Sequence, residues 1–196
     1  MPYQRSGGSG CTWASRSNSW QGSWLDSAVR PDPESMPAPY AGHCLCGDIH
    51  FELRSEPLTL YACHCTDCQR RSAGALRLSM WVDRAALQLL RGQPTIRTSI
   101  LGSGRQRVSK ACTRCDTDLW TEPPENPALA ILRPGTLVRH KEFVPVAHLF
   151  VRSALPWLTI PSTAVQYETK PDDPRELVRL WRRAGNPGNG PGTSAG

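Results

Sequence analysis

The residues best equipped for chemistry are Cys63-His64-Cys65-Thr66-Asp67-Cys68, where three cysteines fall within six positions. Residues two apart on an extended segment face the same side, so Cys63 and Cys65 aim at one point. Cys68 follows through a C-x-x-C step, a tight turn that brings another thiolate to the same ion. Three thiolates fill three corners of a tetrahedron. His64 should point the other way, between its neighbours. Closed structural zinc sites take four protein ligands, whereas catalytic sites keep one position for water or substrate. This stretch is therefore either an open three-cysteine zinc site or half of a closed site completed from elsewhere.

The other thiols bear on that choice. Cys44-Leu45-Cys46 is followed by Gly47, and Cys112-Thr113-Arg114-Cys115 is a second C-x-x-C. With Cys11 set aside as a lone thiol, seven of the eight cysteines remain. Pairing Cys44 and Cys46 with Cys112 and Cys115 makes a closed site that clamps distant segments, and its binding energy is folding energy. Cys63, Cys65 and Cys68 are then left as the open site. A competing division joins Cys112 and Cys115 to two central cysteines and needs a histidine to complete the second site.

The elements that must position these thiols read as short strands. The chain has 196 residues, 39% hydrophobic and 20% charged, with 18 prolines and 16 glycines. That suits one globular domain with tails. Ile49, Phe51 and Leu53 alternate with polar neighbours, and Leu58, Leu60 and Ala62 lead a strand into the central cysteines. Gln69 to Ser72 reads as a helical turn ended by Gly74. Leu76 to Val82 alternates again, Asp83 caps a short turn through Ala86, and strands are expected at 87–90 and 95–100 around a Gly92 turn. Arg107 to Ala111 delivers the second C-x-x-C, and Leu119 and Trp120 begin the return strand. Strands at 128–132 and 145–151 are expected to join through a Pro134–Gly135 turn, with a last strand at 157–160. Asp173-Pro174-Arg175-Glu176 announces a helix, with Leu177, Leu180 and Trp181 as its apolar stripe. The expected organisation is a tail over 1–37, a mainly β zinc-binding domain over 38–168, a helix over 169–185 and a tail over 186–196. Trp13, Trp20 and Trp24 lie in the first tail, and translation starting at Met1 or at Met36 stays open.

Composition narrows the compartment and the partners. No apolar run reaches the roughly 20 residues of a membrane helix, and residues 1–15 carry no apolar signal region. A cytoplasmic setting with reduced cysteines is expected, so the clustered thiols read as metal ligands, not disulfides. The formal charge of +6 permits anionic partners without requiring nucleic acid. Gly102-Ser103-Gly104 is a turn, because no P-loop lysine follows it.

Taken together, His43-Cys44-Leu45-Cys46-Gly47, Ala62 to Ser72 and Ala111 to Cys115 resemble the glutathione-dependent formaldehyde-activating enzyme family, which also contains centromere protein V. Pro134 to Leu137, Pro145 to Phe150 and Pro156-Trp157 resemble its later motifs, so the likeness runs from about Tyr40 to Pro161. The resemblance implies a β-tent fold of small antiparallel sheets around zinc. It implies two zinc ions, one structural on Cys44, Cys46, Cys112 and Cys115 and one catalytic on Cys63, Cys65 and Cys68. It also implies a carbon–sulfur lyase type of activity, with glutathione and formaldehyde giving S-hydroxymethylglutathione. Two positions depart from the family pattern: Asp116 stands where glycine is common, and Ala111 where an aromatic residue is common.

An open zinc can stabilise a substrate thiolate and polarise an aldehyde. Candidate substrate-binding residues are Arg70, Arg71, His148 and Trp157, while Arg105, Arg107 and Lys110 are candidate receivers of glutathione carboxylates. For the five cations the alternative is a solvated basic face; for His148 and Trp157 it is core packing. His64 is expected to support or pack the site, and His43 is an alternative ligand beside Cys44. The expected partners are a small thiol and a small aldehyde, with no membrane and no nucleic acid; a homodimer stays open. The competing class is a non-enzymatic zinc module that binds a protein or nucleic acid, but the chain lacks the interleaved basic and aromatic positions of a stacking surface.

Overall fold

Alternation of apolar and polar residues over four to seven positions dictates short strands with one face buried. The computed structural model describes residues 38–102 and 104–185. The expected tails, with Cys11, Trp13, Trp20, Trp24 and Met36, lie outside the described residues, as does Ser103 at the tip of the Gly102–Gly104 turn.

Two sheets form. The smaller has the order β1-β2-β5, built from β1 (Tyr40–His43), β2 (His50–Leu53) and β5 (Leu87–Arg91). The larger has eight strands in the order β11-β10-β3-β4-β9-β8-β7-β6. Its members are β3 (Thr59–Cys63), β4 (Arg77–Asp83), β6 (Thr95–Ile100), β7 (Gln106–Ala111), β8 (Asp118–Glu122), β9 (Leu129–Leu132), β10 (Ala147–Leu149) and β11 (Val165–Tyr167). The mainly β expectation holds, and most pairs are antiparallel. At one edge β10 runs parallel to both β3 and β11. The helices are α1 (Thr66–Ser72) and the expected C-terminal α2 (Arg175–Arg183). Among the described residues no helix is long and apolar enough to cross a membrane.

One face of the large sheet shares its core with the small sheet. Phe51, Leu53, Leu60, Met80, Val82, Leu119, Trp120 and Leu132 are buried there. Gly42 sits in β1 because a Cβ would come 2.2 Å from the Phe51 ring. On the other face, Leu177 of α2 packs with Ala147 and Leu149, and the Leu177 carbonyl accepts from Thr59 Oγ1 at 2.9 Å. Asp173 Oδ1 accepts from the Arg175 N–H at 3.0 Å and starts α2.

Four local expectations change. The strands at 87–91 and 95–100 are not a hairpin, since β5 pairs with β2 and β6 with β7. The Pro134–Gly135 turn does not return the chain on β9. Leu137 is buried against the small sheet, and the Val138 N–H donates to the Ala41 carbonyl at 2.9 Å. The apolar pull of Leu137 carries the segment across to β1. No strand forms at 157–160; the last is β11. Finally, α1 ends at Ala73, which takes the left-handed conformation (φ 49°), with Gly74 donating to the Gln69 carbonyl at 3.2 Å.

Candidate metal centres and active site

Each thiol group sits where two elements meet. Cys44 and Cys46 lie in the β1–β2 turn, where Gly47 adopts φ 74°, a region open to glycine. Cys112 and Cys115 lie in the β7–β8 turn. The four Sγ atoms lie within 4.8 Å of one another, so this group bridges the two sheets. Asp116 takes φ 64° and donates its N–H to the Cys112 carbonyl at 3.0 Å, so the turn is kept without glycine. Aspartate tolerates this region better than most residues, and its carboxylate pairs with Arg97.

Cys63 ends β3, Cys65 caps α1 by accepting from the Cys68 N–H at 3.4 Å, and Cys68 lies in the first turn of α1. Their Sγ atoms also lie within 4.8 Å of one another, and among the described residues no fourth ligand atom joins them. Gln69 fastens α1 in place, donating to the His64 carbonyl at 2.9 Å and the Ser153 carbonyl at 2.7 Å. The β6–β7 turn leans on α1, with the Gly102 N–H donating to Asp67 Oδ2 at 3.2 Å.

Both donor sets fit zinc. A tetrahedral ion with Zn–S bonds of about 2.3 Å has sulfur–sulfur edges of about 3.8 Å. Cys44–Cys46, Cys46–Cys112 and Cys63–Cys65 have Sγ separations of 3.5, 3.7 and 3.5 Å. The thiols interact strongly. Hydrogen bonds from the Cys63 and Cys68 thiols hold Cys65 far below the ordinary thiol range, and Cys65 and Cys68 push Cys63 up. Crowded thiols resist full ionisation, and a soft divalent cation is what lets all three ionise together.

His64 and His148 form a buried pair, with His64 Nε2 at 2.9 Å from His148 Nδ1 and rings stacked at 5.2 Å. Burial lowers both, and His148 further lowers His64, so each imidazole is held neutral. His64 Nδ1 is buried without a partner. Neither ring joins the cysteine groups; His148 lies beside Ala62 across the β10–β3 pair and is not grouped with the thiols. His43 is exposed, with Nδ1 at 2.9 Å from the Cys44 carbonyl.

The cation candidates separate. Arg70 is exposed, while Arg71 reaches Ser99 Oγ at 3.0 Å. Arg105 pairs with Glu125, and Lys110 lies 3.7 Å from Glu122. Arg107 is the one that turns inward. Trp157 is 70% exposed and is no core residue.

Two buried arginines went unnoticed in the sequence. Arg77 pairs directly with Cys63 across the β3–β4 ladder, which puts both side chains on one face. Arg133 follows β9 on the same side. Arg77, Arg133 and Arg107 converge on Asp118 Oδ2, with Arg133 Nε at 3.2 Å and Arg107 at 3.6 Å. Arg107 and Arg133 also donate to Thr121 Oγ1 at 2.6 and 2.7 Å. Burial and then the neighbouring Arg133 charge lower Arg77 to about 9, and the same causes lower Arg107 to about 8. The negative charges of Cys68 and Cys63 oppose that on Arg77. A signal was present in β4, where Arg77 and Ser79 alternate with Leu78, Met80 and Val82.

A sequence model of the glutathione-dependent formaldehyde-activating enzyme family matches residues 39–153. The chain belongs to this family. The match includes all seven clustered cysteines and stops short of Pro156 and Trp157. A Rhodobacter sphaeroides protein of known crystal structure is similar at 21% identity and a TM-score of 0.41, over 54% of this chain and 97% of its own. No curated protein matches the chain.

Proposed function

We propose that this glutathione-dependent formaldehyde-activating family member adds a thiol, glutathione or a close analogue, to a small aldehyde such as formaldehyde, and catalyses the reverse cleavage. The observation that supports it is the three-thiol group of Cys63, Cys65 and Cys68, grouped with no fourth ligand among the described residues while Cys44, Cys46, Cys112 and Cys115 make a complete set. In this reading the four-cysteine group holds a structural zinc and the three-cysteine group a catalytic one.

A zinc ion held by Cys63, Cys65 and Cys68 would supply a stabilised substrate thiolate and Lewis acidity toward the carbonyl oxygen. The remaining work falls to the chain. Cys65 at the N-terminus of α1 and Cys63 at the end of β3 fix the mouth of the site, and Gln69 keeps them in register. The thiolate sulfur attacks the aldehyde carbon, a C–S bond forms, and the C=O π pair moves to oxygen. That oxygen takes up one proton for the one the thiol gave, so the addition is redox-neutral. His148 orients the β3 end through His64, and Arg71 borders the site. The reduced thiols suit a cytoplasmic setting.

The addition proceeds without a catalyst, so the test is acceleration of exchange. Two-dimensional NMR exchange between glutathione and S-hydroxymethylglutathione should quicken with the zinc-loaded chain and fall to the uncatalysed rate with Cys65→Ser. Equal exchange rates with the chain, with Cys65→Ser and without protein would sink the proposal.

A further inference from the structure

The three buried arginines beside the thiol group carry more positive charge than the protein itself neutralises. Their side chains are 7%, 12% and 11% exposed for Arg77, Arg107 and Arg133. Asp118 is the one carboxylate they share. Three thiolates around a dication carry a net charge of −1. Three guanidinium groups against Asp118 and that centre leave one positive charge over, before exposed Arg71 is added. Tyr61, which acts on Arg133 together with Cys68 and Arg71, is pushed up to about 12 by burial and stays neutral. Asp67 accepts from the Gly102 N–H and forms no ion pair with these arginines.

Hydrogen bonding leads the same way. A guanidinium has five N–H donors in a fixed fork. Arg77 bonds Asp118, Arg107 bonds Ser109 and Thr121, and Arg133 bonds Asp118 and Thr121. Arg77 Nε is buried with no partner, and so is Asp118 Oδ1, the one acceptor the cluster leaves unused. Thr121 Oγ1 accepts from two guanidinium groups, so its own O–H has a proton to give. A surplus positive charge with buried donors to spare fits a planar two-oxygen acceptor.

We propose that Arg77, Arg107 and Arg133 form a carboxylate-binding subsite, held together by Asp118 and Thr121, which selects a thiol substrate that carries a carboxylate within reach of its sulfur. This rests on the thiol reading above, because the sulfur is what the three-cysteine group attracts. Arg77 and Cys63 are cross-strand partners, so their side chains rise from the same face of the sheet. Of the three candidate carboxylate receivers, Arg105 and Lys110 are taken by Glu125 and Glu122, which leaves Arg107.

The test compares three probes on the zinc-loaded full chain by isothermal titration. N-acetylcysteine has thiol and carboxylate, its amide has the thiol alone, and N-acetylalanine has the carboxylate alone. N-acetylcysteine should bind on the order of tenfold or more tighter than the amide, as for a charge-assisted bidentate pair. Arg107→Gln should remove most of that preference, Arg107→Lys should keep part of it, and both should retain the wild-type zinc content. Equal binding of acid and amide to the wild type overturns the subsite and leaves the thiol reading standing; this comparison needs no variant to fold. N-acetylalanine that binds in an Arg107-dependent way, with the amide failing to bind, upholds the subsite and sinks the thiol reading. If glyoxylate but not N-acetylcysteine shows Arg107-dependent binding, the carboxylate belongs to the aldehyde and the assignment to the thiol is overturned.

Discussion

Replacing one ligand in each thiol group should separate the two by stability. Cys46 and Cys112 bring positions 66 residues apart to 3.7 Å. Treated as a cross-link closing a loop of that length, the four-cysteine group removes about 4 kcal/mol of chain entropy from the unfolded state. The three-cysteine group closes a loop of a few residues, and the same relation gives about 2 kcal/mol. Cys112→Ser also disturbs a fully buried position between two sheets, whereas Cys65 caps a short helix that Gln69 already anchors. At about 2–4 °C per kcal/mol for a chain of this size, Cys112→Ser should lower the melting temperature by about 8–16 °C and Cys65→Ser by about half as much. Thermal melting by circular dichroism, with zinc released per chain followed by a colorimetric chelator, reads both quantities. Wild type should release two zinc ions, the less constrained one first, and Cys65→Ser one. A Cys65→Ser variant that melts as low as Cys112→Ser, or a Cys112→Ser variant that melts like wild type, would refute the division.

Three further changes test the packing and electrostatics. Gly42→Ala drives a methyl into the Phe51 ring, which is fully buried against Trp120, and should cost about 1–3 kcal/mol in urea unfolding. Asp118→Asn leaves Arg77, Arg107 and Arg133 without their shared carboxylate; it should destabilise by about 3 kcal/mol, and added carboxylate ligand should restore part of the loss in melting temperature. Burial pushes the Glu122 carboxyl up, but the Trp120 indole at 2.9 Å, Arg84 at 2.7 Å and Lys110 hold it below the usual range. A depressed carboxyl contributes fully above its unfolded value of about 4.3 and loses that contribution as pH falls through the lower folded value; the stability gap between wild type and Glu122→Gln should be level above about pH 5 and close below it.

What was legible in the sequence is what local spacing controls. The C-x-C and C-x-x-C steps set which sulfurs share a turn, and the division into four and three matches the two groups that assemble. The strands were legible where a buried face alternates with a polar one, as in β2, β3 and β4. Pairing partners were not. Whether β5 meets β6 depends on which sheet buries Leu87 and which buries Ala111, and neither is a property of the intervening Gly92 turn. The three-residue β11 was missed because Val165 and Gln166 are exposed and leave no periodic signal.

The arginines show why half the candidate site was hidden. Alternation along β4 assigns Leu78, Met80 and Val82 to the core and leaves Arg77 and Ser79 on the other face, which reads as solvent. That inference fails when the polar face is itself buried, as it is here at Arg77 and Ser79. Buried cations that repel one another weaken a fold unless anions hold them. Asp118 cannot neutralise three guanidinium groups, and the crowded thiols of Cys63, Cys65 and Cys68 cannot all ionise alone. Each cluster is costly in isolation and less so beside the other, because thiolate charge offsets the guanidinium surplus across the β3–β4 ladder. Perturbed charges of this kind cluster at functional sites and also in structural ion-pair networks. The same juxtaposition explains why exposed Arg70, adjacent in sequence to the cysteines, is a weaker candidate than Arg107, almost forty residues away in the chain: proximity to a metal ligand along a helix does not decide which side chain shares its face of the sheet.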